Sequence, residues 1–109
     1  MNNALKDVLE AIDKAKGSDT VVYRVHELNP LIDYVVITSA TNTRQLHSLA
    51  DYVKDSLQEH GHGYRHIEGN DMSKWLLVDS DDIVIHIFEE NEREVYALEK
   101  LYANCERVM

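Results

Sequence analysis

Leu5, Val8, Leu9 and Ile12 recur at three- and four-residue spacing among charged positions, and Gly17 follows, so residues 3 to 16 read as a short amphipathic helix stopped by a glycine. The period then shortens. TVVYRVHE, from Thr20, is rich in β-branched and aromatic residues, Asn29-Pro30 breaks it, and DYVVITS resumes at Asp33, which predicts two strands. After Ser39 the helical period returns in Leu46, Leu49, Ala50, Val53 and Leu57, a stripe that Thr41 or Asn42 can cap and Gly61 can end. YRHIEG, from Tyr64, predicts a short third strand, which a right-handed crossover lays parallel to the 34–39 strand. WLLVD and IVIHIF, within Trp75 to Phe88, then pair as a hairpin. NEREVYALEKLY follows as a last helix, with Asn91 and Glu94 spaced as a capping box.

The predicted order is therefore α-β-β-α-β-β-β-α, and the predicted class is α/β in preference to α+β. A mixed five-stranded sheet, parallel around the crossover and antiparallel at the hairpin, has helices covering its faces. With 109 residues, 44% of them hydrophobic, the chain can build one core and is too short for two, so residues 1–109 read as a single domain. No repeat, low-complexity tract or Ser/Pro-rich linker divides it.

Charge narrows the partners. Twenty acidic against 11 basic residues give a net charge of −9, which argues against direct, specific nucleic-acid binding, because such affinity comes from neutralising phosphates with Lys and Arg. A basic protein is the better complement, and ribosomal proteins are of that kind. Cys105 is the only cysteine, so no internal disulfide forms; the start MNNALKDVLEA lacks a secretory pattern, and a reducing, cytoplasmic setting is expected. No apolar run approaches the roughly 18 residues of a membrane span, so no membrane partner is expected.

The candidate chemistry is sparse. Trp75 opens a strand after the polar stretch GNDMSK, where its ring could lie half exposed as a docking anchor or pack beneath a helix. Asp79, Asp81 and Asp82 cluster at the hairpin turn. They suit a solvated turn or a surface that attracts a basic partner, and paired carboxylates of this sort could also hold Mg²⁺ for phosphoryl transfer. That enzymatic alternative, using Asp79 and Asp81, needs a glycine phosphate loop, and TSATNTRQ offers hydroxyls without glycine or a P-loop lysine. His60, His62 and His66 invite a zinc site, but four ligands are usual and Cys105 is remote, so helix-end histidines are the expectation and no metal is assigned. His86, alternating with apolar neighbours, reads as a hydrogen-bonded, partly buried histidine rather than a general base. Arg44-Gln45 and Arg93 open helices, where a cation needs a carboxylate partner; Glu92, Glu94 or the acidic turn are candidates for Arg93. Tyr96, Leu98, Leu101 and Tyr102 follow helical spacing and read as core or interface. No catalytic residue and no cofactor are assigned.

DYVVITSATNTRQLHSLAD, then IEG, the run from Trp75 through DIVIHIF, and REVYALEKLY together resemble the RsfS/Iojap family, the bacterial ribosomal silencing factors. Arg44-Gln45, Ala50-Asp51, Glu68-Gly69, Trp75, Asp82, His86, Phe88, Arg93, Tyr96 and Leu98-Glu99 carry the resemblance in order and spacing across residues 5 to 102. It departs at Ala40, where the family often has glycine, and at Ser80-Asp81-Asp82, where the family has a bulky residue followed by Gly-Asp. The resemblance implies a five-stranded mixed sheet related in shape to nucleotidyltransferase domains, and a role without chemistry. It implies binding to the large ribosomal subunit at its fourteenth protein, on the face that meets the small subunit, which blocks joining when nutrients are scarce. On this reading Trp75, Leu76, Asp79, Ser80, Asp81 and Asp82 form the partner-binding surface, and the free protein is a homodimer.

Overall fold

A computed structural model describes residues 3–109, so the first two residues of the opening MNNALKDVLEA lie outside the described residues. Helix α1 (Asn3–Lys14) leads through strand β1 (Ser18–Arg24) and strand β2 (Tyr34–Ala40) to the long helix α2 (Thr43–Glu59). Strands β3 (Tyr64–Glu68), β4 (Trp75–Ser80) and β5 (Ile83–Glu89) follow, then helix α3 (Glu90–Tyr96), a 3-10 turn (Leu98–Tyr102) and a two-residue strand β6 (Glu106–Arg107). The single α/β layer arrangement matches the expectation, with one added strand.

The sheet has six strands in the order β3-β4-β5-β2-β1-β6. Only β2 and β5 are parallel neighbours; every other pair is antiparallel. The third strand is therefore not beside β2, as the crossover argument places it. It lies at the edge against β4, pointing the same way as β2 but with β4 and β5 between them. The largely apolar β5 takes a central place because residues on both of its faces can be buried there. Strand β6 extends the sheet by backbone pairing of Tyr23 with Arg107 and Arg24 with Glu106.

Helix ends show which local signals operate. Asn42 caps α2, its side-chain oxygen accepting from the Gln45 amide at 2.8 Å. His60 closes that helix with Nδ1 2.8 Å from the Ser56 carbonyl, and Gly61 follows with φ of 70°. At the end of α1 the left-handed residue is Lys16, while Gly17 is needed for space: a Cβ there would come within 2.7 Å of Ile12 and Thr38 side-chain atoms. The predicted capping box of the last helix is absent. Helix α3 starts two residues earlier, directly from β5, with Glu89 at the cap position extended and making no side-chain cap bond. Carboxylates at Glu90 and Glu92 instead meet the positive pole of its first turn.

Helices α1 and α2 cover one face of the sheet. Leu5, Val8 and Ile12 of α1 and Leu46, Leu49, Val53 and Leu57 of α2 pack on Val22, Val36, Leu76, Val78, Ile83, Ile85 and Ile87. The second face has a smaller cluster of Val21, Tyr23, Val25, Val35, Ile37 and Phe88, roofed partly by Leu98 and Tyr102 of the 3-10 turn. Seven-residue α3 and that turn contact the β1-β2-β5 side, and α3 reaches β4 through the Tyr96 ring on Trp75. No helix among the described residues is long and apolar enough to cross a membrane.

Candidate functional site

Strand residues alternate between faces, so β4 divides its side chains in two. Leu76, Val78 and Ser80 point beneath the helices, with Leu76 at 2% and Ser80 at 3% exposure, while Trp75, Leu77 and Asp79 stay partly open on the other face. Leu76 and Ser80, expected at the exposed surface, are therefore covered, and Leu77 is the leucine that shares the open face with Trp75. The apolar run WLLV satisfies either phase of a strand, so the sequence does not show which leucine is covered.

The indole also lies at the opposite end of the hairpin from the acidic turn. Trp75 pairs with Phe88 at the open end, whereas Asp79 pairs with Val84 beside the turn. Six residues of extended chain separate Trp75 from Asp81, about 20 Å. Among the three aspartates, Asp79 shares the indole's face, with Leu77 between them.

Trp75 is held in an aromatic cluster. Its ring stacks on Phe88 at 4.9 Å between centroids and 23° between planes, and meets Tyr96 at 4.7 Å and 52°. Its Nε1–H donates to Nδ1 of His86 at 3.1 Å. His86 is 6% exposed, and burial pushes its pKa down from 6.5 to about 4. The imidazole is therefore neutral at pH 7, with its proton on Nε2 because Nδ1 accepts. A hydrogen-bonded, partly buried histidine was the expectation for this position, and it is more deeply buried than that. Tyr96 remains 52% exposed beside the indole, and α3, which follows β5 without a loop, places it there.

The carboxylates have their own neighbours. His66 lies between Glu68, at 3.1 Å from Nε2, and Asp79, at 3.8 Å from Nδ1. Asp81 pairs with Arg65 at 3.4 Å and lies against Gly63, where any Cβ would collide with the carboxylate. The Asp82 carbonyl accepts from the amides of Asp33 and Tyr34, tying the turn to the start of β2. His60 and His62 turn toward Asp7 of α1, and the hydrogen bond with His62 at 2.8 Å holds the Asp7 carboxyl below its usual range. His66 is therefore apart from the other two histidines. Among the described residues no three His, Cys, Asp or Glu side chains gather as a metal site requires.

Arg93 differs most from its sequence reading. It is 9% exposed, donating from Nη1 to the Asp19 carbonyl at 2.6 Å and the Ser39 hydroxyl at 2.9 Å, and from Nε to Glu99 at 3.3 Å. Its carboxylate partner is Glu99 rather than Glu92, Glu94 or the turn, and the arginine ties α3 to β1 and β2. Gln45 bonds the carbonyls of Ala15 and Lys16, while Arg44 makes no ion pair with a described residue.

This arrangement can dock a partner: an anchored aromatic ring, an apolar strand surface beside it, and carboxylates at its edge. The family model described as ribosomal silencing factor during starvation matches residues 1–109. A ribosomal silencing factor of Bacillus subtilis is 32% identical over 101 residues, 93% of this chain and 86% of that protein. A mouse protein named mitochondrial assembly of ribosomal large subunit protein 1 is 42% identical over 98 residues, 87% of this chain but 43% of that one. A crystal structure of a Chromobacterium violaceum protein superposes with a TM-score of 0.89 at 28% identity, covering 94% of this chain and 88% of that one.

Proposed function

Because this chain belongs to the family of ribosomal silencing factors, whose name implies regulation of translation at the ribosome, we propose that it docks on the large ribosomal subunit and sterically blocks joining of the small one. The proposed partner is the fourteenth large-subunit protein at the intersubunit face. The name of the mouse relative, which refers to the large subunit, supports that choice of subunit. The observation that carries the reading is the partly open Trp75, in contact with Phe88 and Tyr96 on the sheet face opposite α1 and α2.

Trp75, Leu77, Tyr96 and Asp79 form the proposed contact, and the net charge of −9 suits a cationic partner. Asp81 and Asp82, at the far end, add long-range attraction. Obstruction needs bulk and affinity, with no chemical step and no cofactor, so the protein acts as a cytoplasmic binding factor rather than an enzyme. In the free protein the same apolar stripe pairs two copies, one of which is released on the ribosome.

Truncating an aromatic anchor in a dry contact costs about 2–4 kcal/mol, so Trp75→Ala should weaken large-subunit binding by on the order of 30-fold or more. Co-sedimentation with purified large subunits measures this, with circular dichroism as the check that the variant is folded. Equal pelleting of folded Trp75→Ala and wild type would remove this surface from the contact. Sedimentation velocity of the same variant should show a shift toward monomer.

A further inference from the structure

His86 is buried on the docking face yet takes no part in any contact proposed so far, and its place is explained by the indole it holds. An unconstrained tryptophan beside a sheet edge samples several rotamers, and its N–H seeks water or a partner acceptor. Here the N–H is satisfied within the chain at 3.1 Å, the ring rests on Phe88, and the imidazole itself lies 5.7 Å from the indole centroid. The three residues lie on adjacent strands in fixed register, Trp75 opposite Phe88 and Leu77 opposite His86. His86 Nδ1 is therefore set by the backbone of β5, not by a mobile loop.

We propose, resting on the docking reading above, that His86 is a positioning residue: by accepting the Trp75 Nε1–H it fixes the indole before the partner arrives. The ring then enters the contact as a carbon surface with no hydrogen bond to the partner. Two consequences follow. Binding loses little side-chain entropy at its main anchor, and the partner offers apolar or aliphatic atoms at this point, such as the stem of a lysine or arginine, rather than an acceptor.

The arrangement requires one tautomer, with Nδ1 bare and the proton on Nε2. Nitrogen-15 shifts of the wild-type protein at pH 7 should show this state, and a protonated Nδ1 would overturn the proposal without any variant. His86→Phe keeps a ring of similar size but cannot accept the bond. It should loosen the indole, raise its N–H exchange rate and weaken large-subunit binding about three- to tenfold. His86→Asn, whose side-chain oxygen reaches the place of Nδ1, should bind closer to wild type than His86→Phe.

A double-mutant cycle separates positioning from general packing. If His86 acts through Trp75, His86→Phe should cost nothing further in the Trp75→Ala background. An equal loss in both backgrounds would overturn the positioning role. If Trp75→Ala weakens binding while His86→Phe leaves it at wild-type strength, this inference fails and the docking surface stands. If folded Trp75→Ala binds as wild type, the docking reading itself fails, and this inference with it.

Discussion

On the face of the β4–β5 hairpin beneath α1 and α2, Leu76, Val78, Ile83, Ile85 and Ile87 are all at 2% exposure or less, whereas on the opposite face of the same strands Trp75, Leu77, Asp79 and Val84 stay partly open. On β5 the outer face is closed as well at His86 and Phe88, so the open part runs along β4 and Val84. The open face also carries His66 and Asp79, together with the buried His86. The covered face secures the fold. The open one leaves Trp75, Leu77 and Asp79 partly open, and α3 and the 3-10 turn cover its β1-β2-β5 side.

The sharpest way to break this contrast is to truncate the adjacent leucines. Leu76→Ala empties a sealed site and should cost about 2–5 kcal/mol of stability, as large-to-small changes in cores do. Leu77→Ala removes a side chain already in contact with solvent and should cost about 1 kcal/mol or less while weakening subunit binding. Urea unfolding of both variants measures the difference. Equal destabilisation would mean that the outer face is as closed as the inner one.

The next effect comes from acid. His86 takes up a proton near pH 6.5 when unfolded and only near 4 when folded, so the unfolded chain binds more protons between those values. Its contribution is complete above pH 6.5 and declines as pH falls toward 4, by on the order of 2–3 kcal/mol over that window. Asp7 behaves differently. Its carboxyl is depressed from 3.8, chiefly by the hydrogen bond with His62, so its contribution is lost only at still lower pH. His86→Phe should abolish the pH 4–6.5 slope of stability and leave the lower one, which urea titrations across pH will show.

The same contrast explains what could be read from the chain beforehand. The periodic stripes of α1 and α2 named their own buried faces, and β2 and β5 were legible as strands because both are rich in β-branched residues. Phase was not legible in WLLV, where both alternating sets are apolar and only helix cover decides which is inside. Strand β6 left no hydrophobic signal, since Glu106 and Arg107 are exposed and held by backbone bonds to β1. Arg93 could not be paired from sequence because two of its acceptors lie 54 and 74 residues away. Trp75 was singled out from its type and place, but its contact with Tyr96 depends on how α3 leaves β5.

The smallest effect separates the two ends of the open face. Asp81 is exposed, and its pair with Arg65, both side chains more than 60% open, lies in high dielectric where such pairs contribute about 0–1 kcal/mol. Asp81→Asn keeps the shape that packs on Gly63 while removing the charge, so thermal stability should change by less than about 0.5 kcal/mol. For docking, the roughly 20 Å between Asp81 and the indole exceeds two screening lengths of about 8 Å at physiological salt. Asp81→Asn should therefore alter subunit affinity less than about twofold at that salt and slow association at low salt, where attraction extends further. Asp79→Asn, which changes the charge on the indole's own face, should weaken binding more than Asp81→Asn. Stopped-flow association at two salt concentrations distinguishes them, and a larger effect from Asp81 would move the contact from the open end of the hairpin to its turn.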